Sequence, residues 1–441
     1  MELKENWSWV ETSSPMFAKA LDMVFNTNEN LFIMGPGGVG KSILLRMVYD
    51  HFKDVLVMSS TGISAANLVM EDVPAATIHS TMCIPPLAIY QGMKVTSKTR
   101  SVLTKAKIIL IDEVSMVNAS LMDLIIDIII KEPKGRRPRV ILFGDIFQLP
   151  PVAPKKYTEE YSYFEKEYNN KYFFFNAKLY KHMEFKNIHL DEVYRQKDPL
   201  FKEALFRIRV GQQTADDLRL INTRVIKCSE HMNNNPVLLY LASTNAVVDR
   251  LNERYVSLPV FKEKKRFIAR LEGEFQLSRY PHLDEHVVLS IGQQVMCIAN
   301  NGSEGYQNGT LGVVEGISSD SVQVLTSNNT HVVVQKHTWK QYKFFYNEES
   351  GKVDYAVSGA FTQIGCKPAY AVTFHKSQGL TLDALYIDLN SNWMPESGLY
   401  LALSRCRSLE GIGLSRAIRD KDIIVNKEAL EFMETQEFVS A

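Results

Sequence analysis

Between Leu31 and Val152 the chain alternates short apolar runs with stretches of helical spacing. The runs LFIMG, VLVMSS, IILIDEVS and VILFGD each hold four to six strand-forming residues and stop at a polar one. Continuous apolar runs of this length, separated by helices, predict a parallel sheet covered on both faces. Such sheets bind ligands at the carboxyl ends of their strands, where Ser60, Asp112 and Asp145 fall. An aromatic block (161–180) follows, then a helical pattern, PLFKEALFRIRVG, and a second set of strands from PVLLYLAS. From residue 291 to about 361 the texture changes to period-two runs broken by Gly and Asn, including GTLGVVEGI and HVVVQKH, the pattern of a small antiparallel β module. The αβ texture then resumes with AYAVTFHKSQG and ALYIDL, so the expected organisation is one αβ lobe over 1–190 and a second over 191–290 and 362–441. The module 291–361 is inserted within that second lobe.

Composition adjusts this picture only slightly. A chain of 441 residues exceeds one core and suggests two to four domains. Lys plus Arg and Asp plus Glu are each 50, so no global basic field draws the protein to nucleic acid, and any such binding must use a local groove. Five cysteines (Cys83, Cys228, Cys297, Cys366, Cys406) are scattered and never spaced C-x-x-C, which argues for reduced thiols and against zinc. The apolar stretch 124–130 is too short for a membrane span and contains Asp127. The N-terminus carries Glu2, Lys4 and Glu5 in place of a signal peptide. The expected compartment is the cytoplasm, with no membrane partner.

The most specific chemical signal is GPGGVGKS, in which Gly35, Gly40, Lys41 and Ser42 take the spacing G-x-x-x-x-G-K-S between a strand and a helix. Glycines let successive backbone N–H groups turn toward phosphate oxygens, and the helix start adds its positive dipole end. Gly37, Gly38 and Val39 complete this loop, Lys41 would reach the β- and γ-phosphates, and the Ser42 hydroxyl would sit on Mg²⁺. In KIILIDEVSM a strand delivers Asp112, suited to hold Mg²⁺, and Glu113, suited to polarise an attacking water. VILFGDIFQLPPV adds Gln148, an amide placed to sense the γ-phosphate or orient that water. The expected ligands are therefore ATP and Mg²⁺.

Taken in order, GPGGVGKS, STGISAANL with TIHS, IDEVSM, GDIFQLPPV, EVYRQKDPLF, TFHKSQGLTLD and YLALSRCRS resemble the Pif1-like branch of superfamily 1B helicases over residues 31–409, and RecD-type enzymes more distantly. The resemblance implies an α/β fold of two RecA-like parallel-sheet lobes (1A and 2A), a small 1B wedge at about 82–98, and an SH3-like 2B insertion over 291–361. It implies ATP between the lobes, with Arg195 and Arg405 reaching the γ-phosphate and Gln378 and Gly379 sensing the nucleotide. Arg407, two residues beyond Arg405, is the alternative to it. Thr61, Gly62, His79, Ser80, Thr244, Asn245, Thr373, His375, Lys376 and Ser377 match segments that face single-stranded DNA. Hydroxyls, imidazoles and backbone amides at strand tips suit phosphate binding that ignores sequence.

The implied activity is a 5′-to-3′ DNA helicase, a monomer in isolation and associated with the bacterial nucleoid. It would act on single strands, tailed or forked duplex and G-quadruplex, in replication, repair, recombination and telomere maintenance. Two other readings stay open at this stage: a nucleotide-dependent switch that controls a partner, and an RNA-directed motor. One departure from the family is plain, since the segment 11–30 lacks the glutamine that many relatives use to read adenine. The run Tyr172-Phe173-Phe174-Phe175 is read as core in preference to a base-stacking platform.

Overall fold

A computed structural model of the chain describes residues 14–440 apart from 71, 236, 259–260, 262–263, 281 and 391–393. Glu2, Lys4, Glu5 and the start of the segment 11–30 lie outside the described residues. Two compact units are present: the described residues of Met1–Tyr194 with Tyr342–Val357 and Lys427–Ala441, and those of Arg195–Gln341 with Ser358–Asn426.

The first unit is built on six strands, β1 (Leu31–Met34), β2 (Val55–Ser59), β3 (Ala76–Thr77), β4 (Ile108–Asp112), β5 (Arg139–Gly144) and β6 (Lys186–His189). They lie in the order β3-β2-β4-β5-β1-β6, and each pairing is parallel. Every residue of β1, β4 and β5 is buried, as expected of strands covered on both faces. The apolar stretch 124–130 lies in the helix Ala119–Ile130, where Leu124, Ile125, Ile126, Ile128 and Ile129 are buried. Among the described residues no helix is long and apolar enough to cross a membrane.

Two long-range contacts hold the ends of this unit. Buried Arg139 donates to the carbonyls of Met23 (2.9 Å), Val24 (2.6 Å) and Glu29 (2.7 Å) at and beyond the end of the helix Pro15–Asn26, supplying acceptors there with a charged donor. The aromatic block is core: Phe173 and Phe174 are fully buried, and Phe32 meets Phe174 edge-on at 5.1 Å. Residues 427–441, which the sequence pattern groups with the second lobe, belong to this first unit. The buried Phe432 of helix Lys427–Thr435 packs 4.4 Å from Phe175, and Glu428 accepts from Asn176 Nδ2 at 2.6 Å. An apolar helix face goes where apolar area awaits it, whatever its place in the chain.

The second unit begins its sheet with β7 (Leu239–Ala242). The chain then leaves for β8 (Lys264–Ile268), β9 (Arg270–Gly273), β10 (His286–Ser290), β11 (Gln294–Cys297), β12 (Leu311–Ile317), β13 (Ser321–Thr326), β14 (His331–Asn347), β15 (Lys352–Ile364) and β16 (Cys366–Pro368). It returns with β17 (Ala371–Thr373), β18 (Leu385–Ile387) and β19 (Ile412–Leu414), which join β7 in a four-stranded parallel sheet ordered β17-β7-β18-β19. Two RecA-like parallel sheets are thus present, as the motif order implies.

The β module is wider than the expected 291–361. Its seven strands run β16-β11-β12-β13-β14-β15-β9, with β8 paired to β10 alongside. β9 joins because Gly359 pairs with Gly273, and β16 because Cys366 pairs with Cys297. Phe267, Val287 and Leu289 from the flanking pair share one core with Val295, Val314 and Val324.

Candidate nucleotide and nucleic-acid sites

The phosphate loop runs from the end of β1 to the helix Lys41–His51 in the first unit. Gly35 N–H donates to Gly144 O (3.3 Å), and a Cβ on Gly35 would lie 2.3 Å from Leu190 O, so the loop starts where two strands leave no room for a side chain. Gly38 (φ 89°) and Gly40 (φ 92°) hold left-handed backbone, the conformation that turns successive N–H groups to one side. Lys41 Nζ donates to the carbonyls of Gly35 (2.7 Å) and Pro36 (2.9 Å) and so lies folded over the loop. Ser42 is exposed at the helix start, Val39 is buried, and Gly37 is half-buried.

Around this loop the same sheet edge presents the acidic and amide groups. Asp112, only 8% exposed at the end of β4, accepts from Ser64 Oγ at 2.7 Å. Burial raises the carboxyl pKa of Asp112, opposed by the Ser64 hydrogen bond, a bond to the Glu113 backbone and the positive charge of Lys41. Glu113 follows in left-handed backbone (φ 50°), fixed by Ser60 Oγ donating to its carbonyl at 2.8 Å. Past β5, fully buried Asp145 accepts from Phe147 N–H (3.1 Å) and from Gln148 Nε2 (3.2 Å), which aims the Gln148 amide. Lys41, Ser42, Asp112, Glu113 and Gln148 therefore occupy loops from β1, β4 and β5 at one carboxyl edge.

The second unit gathers the arginines. Arg195 Nη1 donates to Ser404 O at 3.0 Å, while Arg405, 2% exposed, donates to Leu401 O (3.1 Å) and Ser404 Oγ (3.0 Å). Burial, then the neighbouring Arg405 charge, push the Arg195 guanidinium down to about 9. Two mutually repelling cations fixed on one helix end form a strong electrostatic demand for an anion. Arg407 is half-exposed and pairs with Asp383 at 3.1 Å, and its charge adds a smaller push on Arg195.

The groups matched to strand contacts fall into two sets. Thr61 and Gly62 start the helix after β2, with Thr61 Oγ1 accepting from Ser64 N–H at 3.1 Å. His79 and Ser80 follow β3, the neighbouring strand, and His79 Nε2 lies 2.7 Å from Tyr90 OH. Tyr90 is buried and also accepts from Leu87 N–H at 2.8 Å, so the expected wedge segment 82–98 is anchored directly to His79. In the second unit Thr244 and Asn245 follow β7, and His375, Lys376 and Gly379 follow its neighbour β17. Asn245, His375, Lys376 and Gly379 are exposed, Thr244 and Gln378 half-buried. Thr373 and Ser377 point inward: Thr373 Oγ1 accepts from Lys376 N–H (3.3 Å), and buried Ser377 donates to Phe374 O (2.7 Å).

Three contributors were not singled out from sequence. Ser64 stands one helical turn beyond Thr61 in the helix Gly62–Met70 and reaches Asp112 at the end of β4. Buried Gln196 donates to the carbonyls of Ser404 (3.1 Å) and Cys406 (2.8 Å), orienting the arginine-bearing turn. Phe17 lies where a Gly40 Cβ would come within 2.8 Å of its ring. The first two sit inside the quoted motifs; Phe17 carries no local signal.

The PIF1-like helicase family profile matches residues 11–219. The ATP-dependent DNA helicase Pif1 of Campylobacter jejuni is 29% identical over 408 residues, covering 86% of each chain. Among solved structures, that of a Bacteroides sp Pif1 in complex with ADP-AlF4 superposes with a TM-score of 0.84 at 29% identity, covering 96% of both chains. A Bacteroides Pif1 helicase in complex with ADP-AlF3 and single-stranded DNA is 30% identical, with a TM-score of 0.65 and coverage of 98% of this chain and 97% of that one.

Proposed function

The chain belongs to the Pif1 helicase family and is an ATP-dependent DNA helicase, and from that premise we propose that it moves 5′ to 3′ along single-stranded DNA using Mg²⁺·ATP. The polarity rests on the family resemblance, and the observation that supports the ATP-driven part of the reading is the division of chemical groups. One unit holds a phosphate loop with Lys41, Glu113 and Gln148, and the other holds the cations Arg195 and Arg405 fixed on a single turn.

The donors fit Mg²⁺: an exposed Ser42 hydroxyl and a buried Asp112 carboxylate whose desolvation a divalent ion would offset are hard oxygen ligands beside a phosphate cradle. Bound there, the ion would neutralise charge on the β- and γ-oxygens. Lys41 would leave the Gly35 and Pro36 carbonyls for phosphate oxygens. Glu113 would take the proton of the attacking water that Gln148 helps orient, and Arg195 and Arg405 would bind charge developing on the transferred phosphoryl group. Gln378 and Gly379 would report the nucleotide state to His375 and Lys376 within the same turn. Thr61, Gly62, His79 and Ser80, together with Thr244, Asn245 and the Thr373–Ser377 turn, would hold phosphates of the strand, and alternation of the two grips would give a net step. Action on forked duplex or G-quadruplex, a monomeric state, and a place in the bacterial cytoplasm on the nucleoid belong to the same proposal.

Strand displacement on duplexes with a 5′ or a 3′ single-stranded tail tests the polarity. Unwinding restricted to the 5′-tailed substrate is expected, and preference for the 3′ tail would refute it. Glu113→Gln is expected to bind oligonucleotide normally while DNA-stimulated ATP turnover falls by roughly 100-fold or more; near-normal turnover would remove Glu113 from its role.

A further inference from the structure

Between Gln148 and the helix Glu159–Tyr168 runs a segment that the nucleotide chemistry does not use. Pro151 is buried, after which Val152, Ala153, Lys155, Lys156 and Tyr157 are all exposed. Val152 is 81% exposed and Tyr157 97%, so the ring contributes almost nothing to packing. Tyr157 also holds left-handed backbone (φ 67°), a region in which a bulky residue is strained. Asn169 (φ 53°) and Asn170 (φ 56°) show the short polar side chains that suit this backbone better than a ring does. The turn is held by its backbone and by Thr158, whose Oγ1 donates to Lys155 O at 2.7 Å and accepts from Tyr161 N–H. It would form as well around an asparagine or a glycine.

Lys155 and Lys156 immediately precede Tyr157 in the chain and are exposed like it, and neither side chain is in an ion pair among the described residues. The acids that follow, Glu159 and Glu160, sit in the first turn of the helix, where the macrodipole accommodates negative charge. An exposed aromatic preceded by two exposed lysines, on a segment leaving the carboxyl edge that also carries Thr61 and His79, fits a base and its neighbouring phosphates.

We propose that Tyr157 stacks on a base of the single strand while Lys155 and Lys156 hold adjacent phosphates, so that the loop after Gln148 is a further nucleic-acid contact. This rests on the single-strand binding proposed above. Anisotropy titrations with a fluorescein-labelled oligo(dT) distinguish the two. Tyr157→Ala and Tyr157→Gly are each expected to weaken binding roughly tenfold, and Tyr157→Phe to bind like the parent protein. Tyr157→Gly also relieves the left-handed strain, so its melting temperature should not fall and its affinity loss cannot come from unfolding. The pair Lys155→Gln, Lys156→Gln should lower the slope of log Kd against log salt by about 1.4. Basal ATP turnover without DNA should be unchanged in all four. Parent-like affinity of Tyr157→Ala, or a Tyr157→Phe defect as large as that of alanine, would overturn the stacking role. Failure of the parent protein to bind oligo(dT) would sink the strand-binding reading and this inference together.

Discussion

Gly40 shows how one residue joins fold and chemistry. Its φ of 92° opens the phosphate loop, and its missing side chain makes room for the Phe17 ring, which would stand 2.8 Å from a Cβ. Gly40→Ala is therefore expected to cost roughly 1–3 kcal/mol, read as a lower urea midpoint, and to raise the KM for ATP. Adding Phe17→Leu should recover part of the stability and little of the affinity, because it clears the ring and leaves the backbone strain. If Gly40→Ala is as stable as the parent protein, the loop does not need the left-handed backbone. Half of this was legible beforehand: the G-x-x-x-x-G-K-S spacing announces the loop, whereas nothing near Phe17 announces its partner.

Among elements, the helix Cys228–Asn234 packs Cys228 and Met232 against Leu238, Ala384 and Tyr386 of the second parallel sheet region and adds one polar tie through an imidazole. Fully buried His231 lies with Nε2 3.2 Å from Gly411 O and Nδ1 3.4 Å from Asn235 Nδ2, and a Cβ on Gly413 would come within 2.7 Å of its ring. A carbonyl on one side and an amide N–H on the other select the neutral ring, with Nε2–H donating and Nδ1 accepting. Burial lowers its pKa below 6.5, the Gly411 hydrogen bond opposing and the Arg224 charge adding to the effect. The unfolded chain then binds the proton more readily, so the stabilisation is present above pH 6.5 and declines as pH falls below it. Thermal melts between pH 7.5 and 5.5 should show that decline, and His231→Leu should be less stable at pH 7.5 but flatter in its response. An equal slope in both proteins would remove His231 as the cause. A lone histidine in sequence announces none of this, because its acceptor is the Gly411 carbonyl, 180 residues away and just before β19.

For the whole molecule, 50 basic and 50 acidic residues give no global basic field to draw in nucleic acid, so any recognition must use a local arrangement of groups. ATP turnover is accordingly expected to rise severalfold or more with single-stranded DNA. A matched RNA strand should stimulate less; equal stimulation would show that the contacts track phosphate without regard to the sugar. Indifference to both would favour a partner-controlled switch. The seven ordered motifs carried the two RecA-like lobes and supplied most residues of the candidate site, because a phosphate loop or a strand-tip carboxylate is a local device whose residue spacing is its geometry. Which distant groups share space was not written in that spacing. Folding placed Ser64 on Asp112, set Arg195 beside Arg405 with Arg407 turned to Asp383, extended the β module through β9 and β16, and sent residues 427–441 to the aromatic core of the first unit. The reason is that apolar burial is non-directional and cross-strand pairing is long-range, so their outcome depends on every surface in the molecule at once.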